Sequence, residues 1–221
     1  MSSVRTALIT GASSGIGREM ALWWARKGVR VFAAARRREL LDRLAAEGDG
    51  RIEPLVLDVA DDAATVARIR DLDDACGGLD AVVANAGVGL STPADLVDWD
   101  VVARVLRVNV MGAAATLSAL APRMAARGRG HLAGTSSAAG HMPFGTNSAY
   151  SGSKAFLTMF LRCMQADMRG TGVKVTIVEP GFVRSEMTSK LESTPLIVDA
   201  DQARALAAEA ERIRTEVAAR D

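Results

Sequence analysis

The chain has 221 residues, 49% of them hydrophobic and 24% charged, with a net charge of +1. That length suits one large domain or two small ones with a sizeable core, and the near-neutral balance supplies no global field for nucleic acid or an acidic membrane. Cys76 and Cys163 lie far apart and read as reduced, buried thiols of a cytosolic protein rather than a disulfide framework. The opening "MSSVRTALIT" lacks the apolar region of a signal peptide, and no segment approaches the roughly 18 uninterrupted apolar residues of a membrane span.

In chain order, "VRTALIT" at 4–10 is a short strand. Residues 15–27 have helical periodicity and stop at Gly28, a natural C-terminal cap. "VRVFAAA" at 29–35 is a second strand, followed by a helix in "RRRELLDRLAAE" that ends at Gly48. A third strand, 52–59, precedes a helix begun by acidic residues, "DDAATVARIRDLDDAC". The fourth strand, 79–87, runs into a glycine turn, and one long helix is expected from about Asp98 to Ala126, with Pro122 near its end. "GHLAGTSS", "SAYSGSKAFLTMFLRCMQADM" and "VKVTIVEPG" supply a fifth strand, a further helix and a sixth strand. Short apolar strands alternating with amphipathic helices imply parallel strands joined by right-handed crossovers. The expected fold is α/β: one doubly wound parallel sheet in a three-layer Rossmann arrangement. Residues 1–221 form a single domain in this reading, and ligands lie beyond the carboxyl ends of the strands.

"TGASSGIG" spans Thr10 to Gly17, between the first strand and the first helix. Gly11 permits a sharp turn, Gly15 a close approach of backbone to ligand, and Gly17 close packing of helix on strand. The N–H groups of the helix start then face any phosphate placed there. Three residues separate Gly11 from Gly15 and Arg18 follows Gly17, so the spacing is not that of a Walker A loop. An ordinary strand-to-helix turn would look the same in isolation.

At "SAYSGSK" the chain places its single tyrosine, Tyr150, four residues before Lys154, one of only four lysines. Residues i and i+4 share a helix face. A cation beside a phenol lowers its pKa from about 10 towards values useful for proton exchange. The alternative is a packed ring beside a solvated charge. Ser137 ends the fifth strand, where a hydroxyl can hold a substrate oxygen and stabilise charge developing on it; its neighbour Ser136 competes for that role. Asn109 sits inside a helical stretch, where Asn is a poor helix former.

Together these motifs resemble the short-chain dehydrogenase/reductase family in its common TGxxxGxG and YxxxK form, over about residues 4–188. The glycine pattern is Thr10, Gly11, Gly15 and Gly17; the "NAG" after the fourth strand is Asn85, Ala86 and Gly87; the helix-borne Asn is Asn109. The serine is Ser137, thirteen positions before Tyr150, and the "PG" after the sixth strand is Pro180 and Gly181. The resemblance implies that Tyr150 exchanges a proton with a carbonyl or alcohol while hydride moves to or from a nicotinamide. It implies that Ser137 holds the substrate oxygen and that Lys154 also bonds the nicotinamide ribose. Asn109 would hold a water that relays protons to Lys154. Cofactor contacts are implied for Gly11, Ser13, Ser14, Gly15, Ile16, Gly17, Asp58, Val59, Asn85, Ala86, Gly87, Tyr150, Lys154, Pro180, Gly181, Val183 and Ser185.

The end of the second strand reads the adenosine ribose in such a fold, about 20 residues beyond the glycine turn. Ala35 stands where NAD-dependent relatives carry Asp, and Arg36, Arg37 and Arg38 follow before the first carboxylate at Glu39. Three cations at the wrong end of a helix dipole make sense if an anion binds there. Arg36 is the first candidate for a 2′-phosphate and Arg37 the second, while Arg38 reads as a solvated helix start. NADP(H) is therefore expected over NAD(H), with Asp58 at the adenine.

Other candidates are weaker. His131 and His141 could suggest a Ser–His hydrolase, but no G-x-S-x-G elbow exists. Two His and two Cys show no metal-ligand spacing, so no metal is expected. Trp23 and Trp24 read as packing, and Met142 and Met187 as flanking a pliable apolar mouth. After Gly181 the family's C-terminal glycine motif is absent; a substrate-covering segment at about 182–200, a helix at about 200–214 and a short strand near 216–219 are expected instead. The reading is a cytosolic oxidoreductase acting on a small-molecule carbonyl or alcohol, without nucleic acid or membrane partners. Apolar helices "MGAAATLSALA" and "AFLTMFLRCM" suggest a homodimer, with a homotetramer left open. The rival reading is a nucleotide-binding regulatory or scaffold protein on the same fold. An epimerase or dehydratase relative would need a larger C-terminal region.

Overall fold

The computed structural model describes residues 4–181, together with the backbone of residues 183–184 and 198–199. Its centre is a six-stranded sheet built from β1 (Thr6–Thr10), β2 (Arg30–Ala35), β3 (Ile52–Val56), β4 (Ala81–Ala84), β5 (Gly130–Thr135) and β6 (Val173–Val178). The order is β3-β2-β1-β4-β5-β6, and each neighbouring pair is parallel. The chain winds outward from β1 to β3 and then returns to the other side of β1. The order therefore reverses between β1 and β4, where a ligand crevice opens in such sheets. A separate pair, β7 (Val183–Arg184) and β8 (Val198–Asp199), is also parallel.

Side-chain alternation along the strands divides the interior into two layers. Ala7 and Ile9 of β1, with Val31 and Ala33 of β2, face α1 (Gly15–Arg26) and α2 (Arg38–Glu47). Leu8, Phe32, Val82 and Leu132 point the other way, into a core shared with α3 (Asp62–Ala75), α5 (Ala113–Ser118), α6 (Ala121–Ala126) and α7 (Ser148–Asp167). Trp24 packs against the first layer and Lys27 lies 5.8 Å from the ring of Trp23, so both indoles serve packing. The thiols are free; Cys76 is half-buried and Cys163 is exposed on α7, which corrects the expectation that both are buried.

The expected helix from 98 to 126 is not continuous. α4 (Trp99–Leu106) gives way to a π turn at Arg107–Gly112, and α5 and α6 follow, with Pro122 in the first turn of α6. Proline cannot donate into a preceding turn, so it starts a helix more readily than it continues one. The π turn widens the helix at Asn109, whose amide bonds outward to other elements. By length and composition the run Trp99–Ala126 could cross a membrane, with mean hydropathy 1.3 over its most apolar window, but 61% of that window is buried. Val105, Val108, Leu117, Leu120 and Met124 are fully or nearly inaccessible.

Candidate active site

A cavity of about 470 Å³ lies across the carboxyl ends of β1, β2, β4 and β5. One end begins at the glycine turn. Gly11 has φ +68° and a Cβ there would sit 2.7 Å from the Ala86 Cα, so the turn is pressed against the segment after β4. Gly15 has φ +55°. At Gly17 a Cβ would lie 2.4 Å from Asn85 Nδ2 and 2.6 Å from the Gly11 carbonyl oxygen. At Gly11 and Gly17 glycine is required by packing against Asn85, Ala86 and the Gly11 carbonyl. Asn85 Nδ2 donates to the Thr10 carbonyl at 3.0 Å, and the Thr10 hydroxyl accepts from Asn85 N and Ala86 N at 3.1 Å each. The two loops are thereby held as one wall. α1 opens at Ser14 with no side-chain cap and no acidic residue in its first turn, leaving its N–H groups towards the cavity.

The same end carries the arginines. Arg37 Nη2 donates to Ser13 Oγ at 3.1 Å and Ser14 Oγ at 3.0 Å. Arg36 Nη1 stands 4.0 Å from the Asp58 carboxylate. Arg38 pairs with Asp42 one helical turn on, at 2.8 Å, as a solvated helix start would. Ala35 closes the end of β2 and is buried.

At the other end, Ser137 lies two residues past β5 and caps a short 3₁₀ turn, Ala138–Gly140, its hydroxyl accepting from Ala139 N at 3.2 Å. Tyr150 and Lys154 come from the first turns of α7. Lys154 is 5% exposed and its Nζ lies 5.7 Å from the Tyr150 ring centroid. That ammonium donates to the Thr135 carbonyl at 2.6 Å. Burial pulls Lys154 from its ordinary value down to about 8. Burial pushes the Tyr150 phenol above its ordinary value, and a hydrogen bond with Ser137 opposes the rise. This corrects the expectation of a phenol lowered by Lys154: desolvation prevails, and the influence opposing it is the Ser137 bond.

Asn109 is 1% exposed and lies behind the cavity. Its Oδ1 accepts from Val88 N at 2.8 Å, and its Nδ2 donates to the Val88 carbonyl and to Ser153 Oγ, both at 3.0 Å. Ser153 in turn donates to the Tyr150 carbonyl at 2.7 Å. The side chain thus ties the loop after β4 to the start of α7.

Of the residues singled out from sequence, Gly11, Ser13, Ser14, Gly15, Ile16, Arg36, Arg37, Asp58, Val59, Asn85, Ala86 and Gly87 line this one cavity, as do Ser137, Tyr150, Lys154, Pro180 and Gly181. Gly17 and Asn109 support it from behind. Of Val183 only the backbone is described, and Ser185, Met187 and, apart from 183–184 and 198–199, the expected 182–200 cover lie outside the described residues, as do the later helix and strand. Val88, Gly89 and Leu90 also line the cavity. They continue the Asn85–Gly87 turn, and their place directly after it was the available signal. His141 Nε2 lies 2.6 Å from Glu179 Oε1, and His131 Nε2 2.8 Å from Thr176 Oγ1, so both imidazoles have partners other than Ser137. Among the described residues no group of three or more His, Cys, Asp or Glu could hold a metal ion.

Residues 5–196 match the family described as short chain dehydrogenase. The chain belongs to the short-chain dehydrogenase family. An uncharacterized oxidoreductase of Myxococcus xanthus is 55% identical over 190 residues, 85% of this chain and 75% of that protein. Serine 3-dehydrogenase of Rhizobium radiobacter is 35% identical over 187 residues, covering 83% of this chain and 74% of its own length. Among solved structures, a short-chain dehydrogenase from Sphingobium yanoikuyae in complex with NADPH superposes with a TM-score of 0.86 at 27% identity, over 95% of this chain and 85% of that one. This short-chain dehydrogenase is therefore an oxidoreductase of a family that uses nicotinamide cofactors.

Proposed function

We propose that the protein is a cytosolic NADP(H)-dependent oxidoreductase that interconverts a small-molecule carbonyl and its secondary alcohol. The observation that carries this reading is the convergence of Ser137, Tyr150 and Lys154 at one end of the cavity that holds the glycine turn and two arginines at the other. The donor set fits a phosphorylated dinucleotide: helix N–H groups for a pyrophosphate, guanidinium and hydroxyl groups for a further phosphate, and a buried ammonium beside Tyr150 for the nicotinamide ribose. Bound cofactor supplies hydride chemistry. The chain's own residues handle the proton and the oxygen.

Ser137 holds the substrate oxygen, and Tyr150 Oη gives its proton to that oxygen during reduction. A phenol held above its ordinary value stays protonated across neutral pH, which suits the reductive direction. Oxidation needs the phenolate, and a positive charge placed beside the ring favours it. Lys154 supplies that charge in part and orients the ribose; the Asn109 clamp fixes the turn of α7 that carries both. The remaining contacts assigned from the family, including Val183 and Ser185 at the carboxamide, belong to the same proposal.

The phosphate preference is read from Arg36 and Arg37. Arg36 faces Asp58, whose carboxylate competes with any bound phosphate, whereas Arg37 already shares its guanidinium with Ser13 and Ser14. Both are assigned to the 2′-phosphate. Assembly is proposed as a homodimer. Phe156 and Met159 on α7 and Leu106 and Met111 before α5 are large, apolar and exposed, and Phe156 stacks on Phe160 with centroids 5.5 Å apart. Light scattering at micromolar concentration should give twice the chain mass, and a monomer would remove this part.

A screen of carbonyls and alcohols with NADPH, NADP+, NADH and NAD+, followed by the absorbance of reduced nicotinamide, tests the whole. Serine and other small hydroxy compounds head the alcohol set because of the relative's name. Turnover favouring the phosphorylated cofactor supports the proposal. Cofactor binding without turnover across the set would favour a sensor or scaffold.

A further inference from the structure

Glu179 has no role in the site described so far, yet it touches both elements that carry the catalytic hydroxyls. Its Oε1 lies 2.6 Å from His141 Nε2 and accepts from Thr158 Oγ1 at 3.0 Å. His141 ends the 3₁₀ turn that Ser137 caps, and Thr158 stands one helical turn beyond Lys154 on α7. From Thr158 the contacts continue inward. Ser136 Oγ lies 2.7 Å from Thr158 Oγ1 and donates to the Lys154 carbonyl at 3.0 Å. Ser136 and Thr158 are 1% and 4% exposed, so neither hydroxyl can turn to bulk water.

The backbone makes the same junction tight. A Cβ at Gly140 would lie 2.9 Å from the Lys154 carbonyl carbon and 3.0 Å from Ala155 N, so the turn rests on the α7 backbone at Lys154. Ala138 N donates to the Pro180 carbonyl at 3.2 Å and Ser136 N to the Val178 carbonyl at 2.7 Å. Glu179 sits between those two acceptors in the chain. One carboxylate oxygen therefore clasps the Ser137 turn to the Tyr150 helix at the point where the Pro180–Gly181 wall leaves β6.

We infer that Glu179 is a positioning residue that sets the Ser137–Tyr150 geometry by bridging His141 and Thr158; this rests on the oxidoreductase reading above only for its consequence in catalysis. The chemistry of the bridge makes a specific demand. It needs an oxygen that accepts two hydrogen bonds at once, and it does not need a negative charge. Gln presents such an oxygen in nearly the same place and Ala presents none.

Because Tyr150 is the only tyrosine, a spectrophotometric phenol titration reads this site alone, with or without activity. In Glu179→Ala the turn loosens from α7, Ser137 no longer favours the phenolate, and the Tyr150 midpoint moves higher by about half a unit or more. The same variant should lose roughly 10-fold in kcat with the KM for NADPH within about twofold, as expected when reacting groups are misplaced but binding is not. Glu179→Gln should restore both quantities to near the parent values. Thr158→Val, which removes one half of the bridge, should move both in the same direction by less, and it serves if Glu179→Ala does not fold. An unmoved Tyr150 midpoint in folded Glu179→Ala or Thr158→Val, or Gln as damaging as Ala, overturns the inference. A shifted midpoint in a protein that turns over no carbonyl or alcohol would leave the bridge standing and remove the oxidoreductase reading instead.

Discussion

The two ends of the sheet each bury a charged side chain, and they treat it in opposite ways. At the amino end Asp73 is 2% exposed and surrounded by partners: Arg127 at 2.7 Å, Arg123 at 3.1 Å and the Leu79 N–H at 2.8 Å. Burial pushes its carboxyl up, but the bonds from Arg127, Leu79 and Arg123 outweigh that and hold it below the ordinary carboxylate range. At the carboxyl end Lys154 is as deeply buried, and the partner it holds is the Thr135 carbonyl, a neutral dipole. Burial wins and its pKa falls. A charge neutralised within the fold is a clamp. A charge buried beside a cavity without a carboxylate is poised for whatever binds there, at a cost in stability.

The largest effect should come from breaking the clamp. Asp73→Ala strips the buried Leu79 N–H and Arg127 of their acceptor, while Arg123 keeps Asp74, and should destabilise by about 3 kcal/mol, read as a lowered denaturant midpoint with turnover of the remaining folded protein intact. Since the folded-state pKa of Asp73 is depressed, its contribution is fully present above the ordinary carboxylate value and is lost progressively as the pH falls from there through the lower folded-state value. A variant as stable as the parent would show the cluster to be decoration.

At the other end the order reverses, with chemistry lost and stability kept. Tyr150→Phe should cost at least about 100-fold in turnover, with cofactor affinity and melting temperature little changed. Near-normal turnover would take Tyr150 out of the mechanism. Next in size, Arg36→Ala and Arg37→Ala should each weaken NADPH by roughly 10- to 100-fold, the worth of a charge-assisted bond. The loss should appear chiefly in the KM for NADPH and leave NADH nearly unaffected. Equal catalytic efficiency of the parent protein with both cofactors would remove the phosphate assignment.

The smallest effect has the most informative sign. Lys154→Met should stabilise the protein at pH 7 by about 1–3.5 kcal/mol, the upper figure being about 1.4 kcal/mol per pKa unit over the fall from 10.5 to about 8. The unfolded chain binds the proton more tightly than the folded one, so the parent gains stability as pH rises from about 8 to 10.5. The advantage of the variant should therefore shrink across that window. A destabilised variant at pH 7 would mean that the bond to Thr135 outweighs desolvation. The same substitution should damage both turnover and cofactor binding.

How much of this was legible in the sequence follows the same division. The glycine turn, the Asn85–Gly87 turn, Ser137, Tyr150 and Lys154 depend on spacing within single elements, and spacing is written in the chain. The strands were legible from their apolar runs, each expected a residue or more too long because the extended chain runs on past the last paired residue into the turns, as at Asp58, Asn85 and Ser136. What pairs elements across long separations was not. Asp73 meets Arg123 fifty residues away, and nothing local marks either. The π turn at Asn109 was not legible, because no residue type marks the place where a helix takes up one extra residue in a turn. The direction of the Tyr150 shift was missed for a related reason. The i, i+4 spacing gives proximity to Lys154, but burial decides which influence prevails.

The central claim is that Tyr150 is a proton donor whose acidity is set by burial and reset by what occupies the cavity. The lone tyrosine allows it to be tested in the parent protein, by titrating phenol absorbance with and without saturating NADP+. A midpoint above that of free tyrosine in the protein alone, moving down when the oxidised cofactor binds, is the predicted result. A midpoint at or below the free value in the protein alone, or one that NADP+ leaves in place, would contradict it.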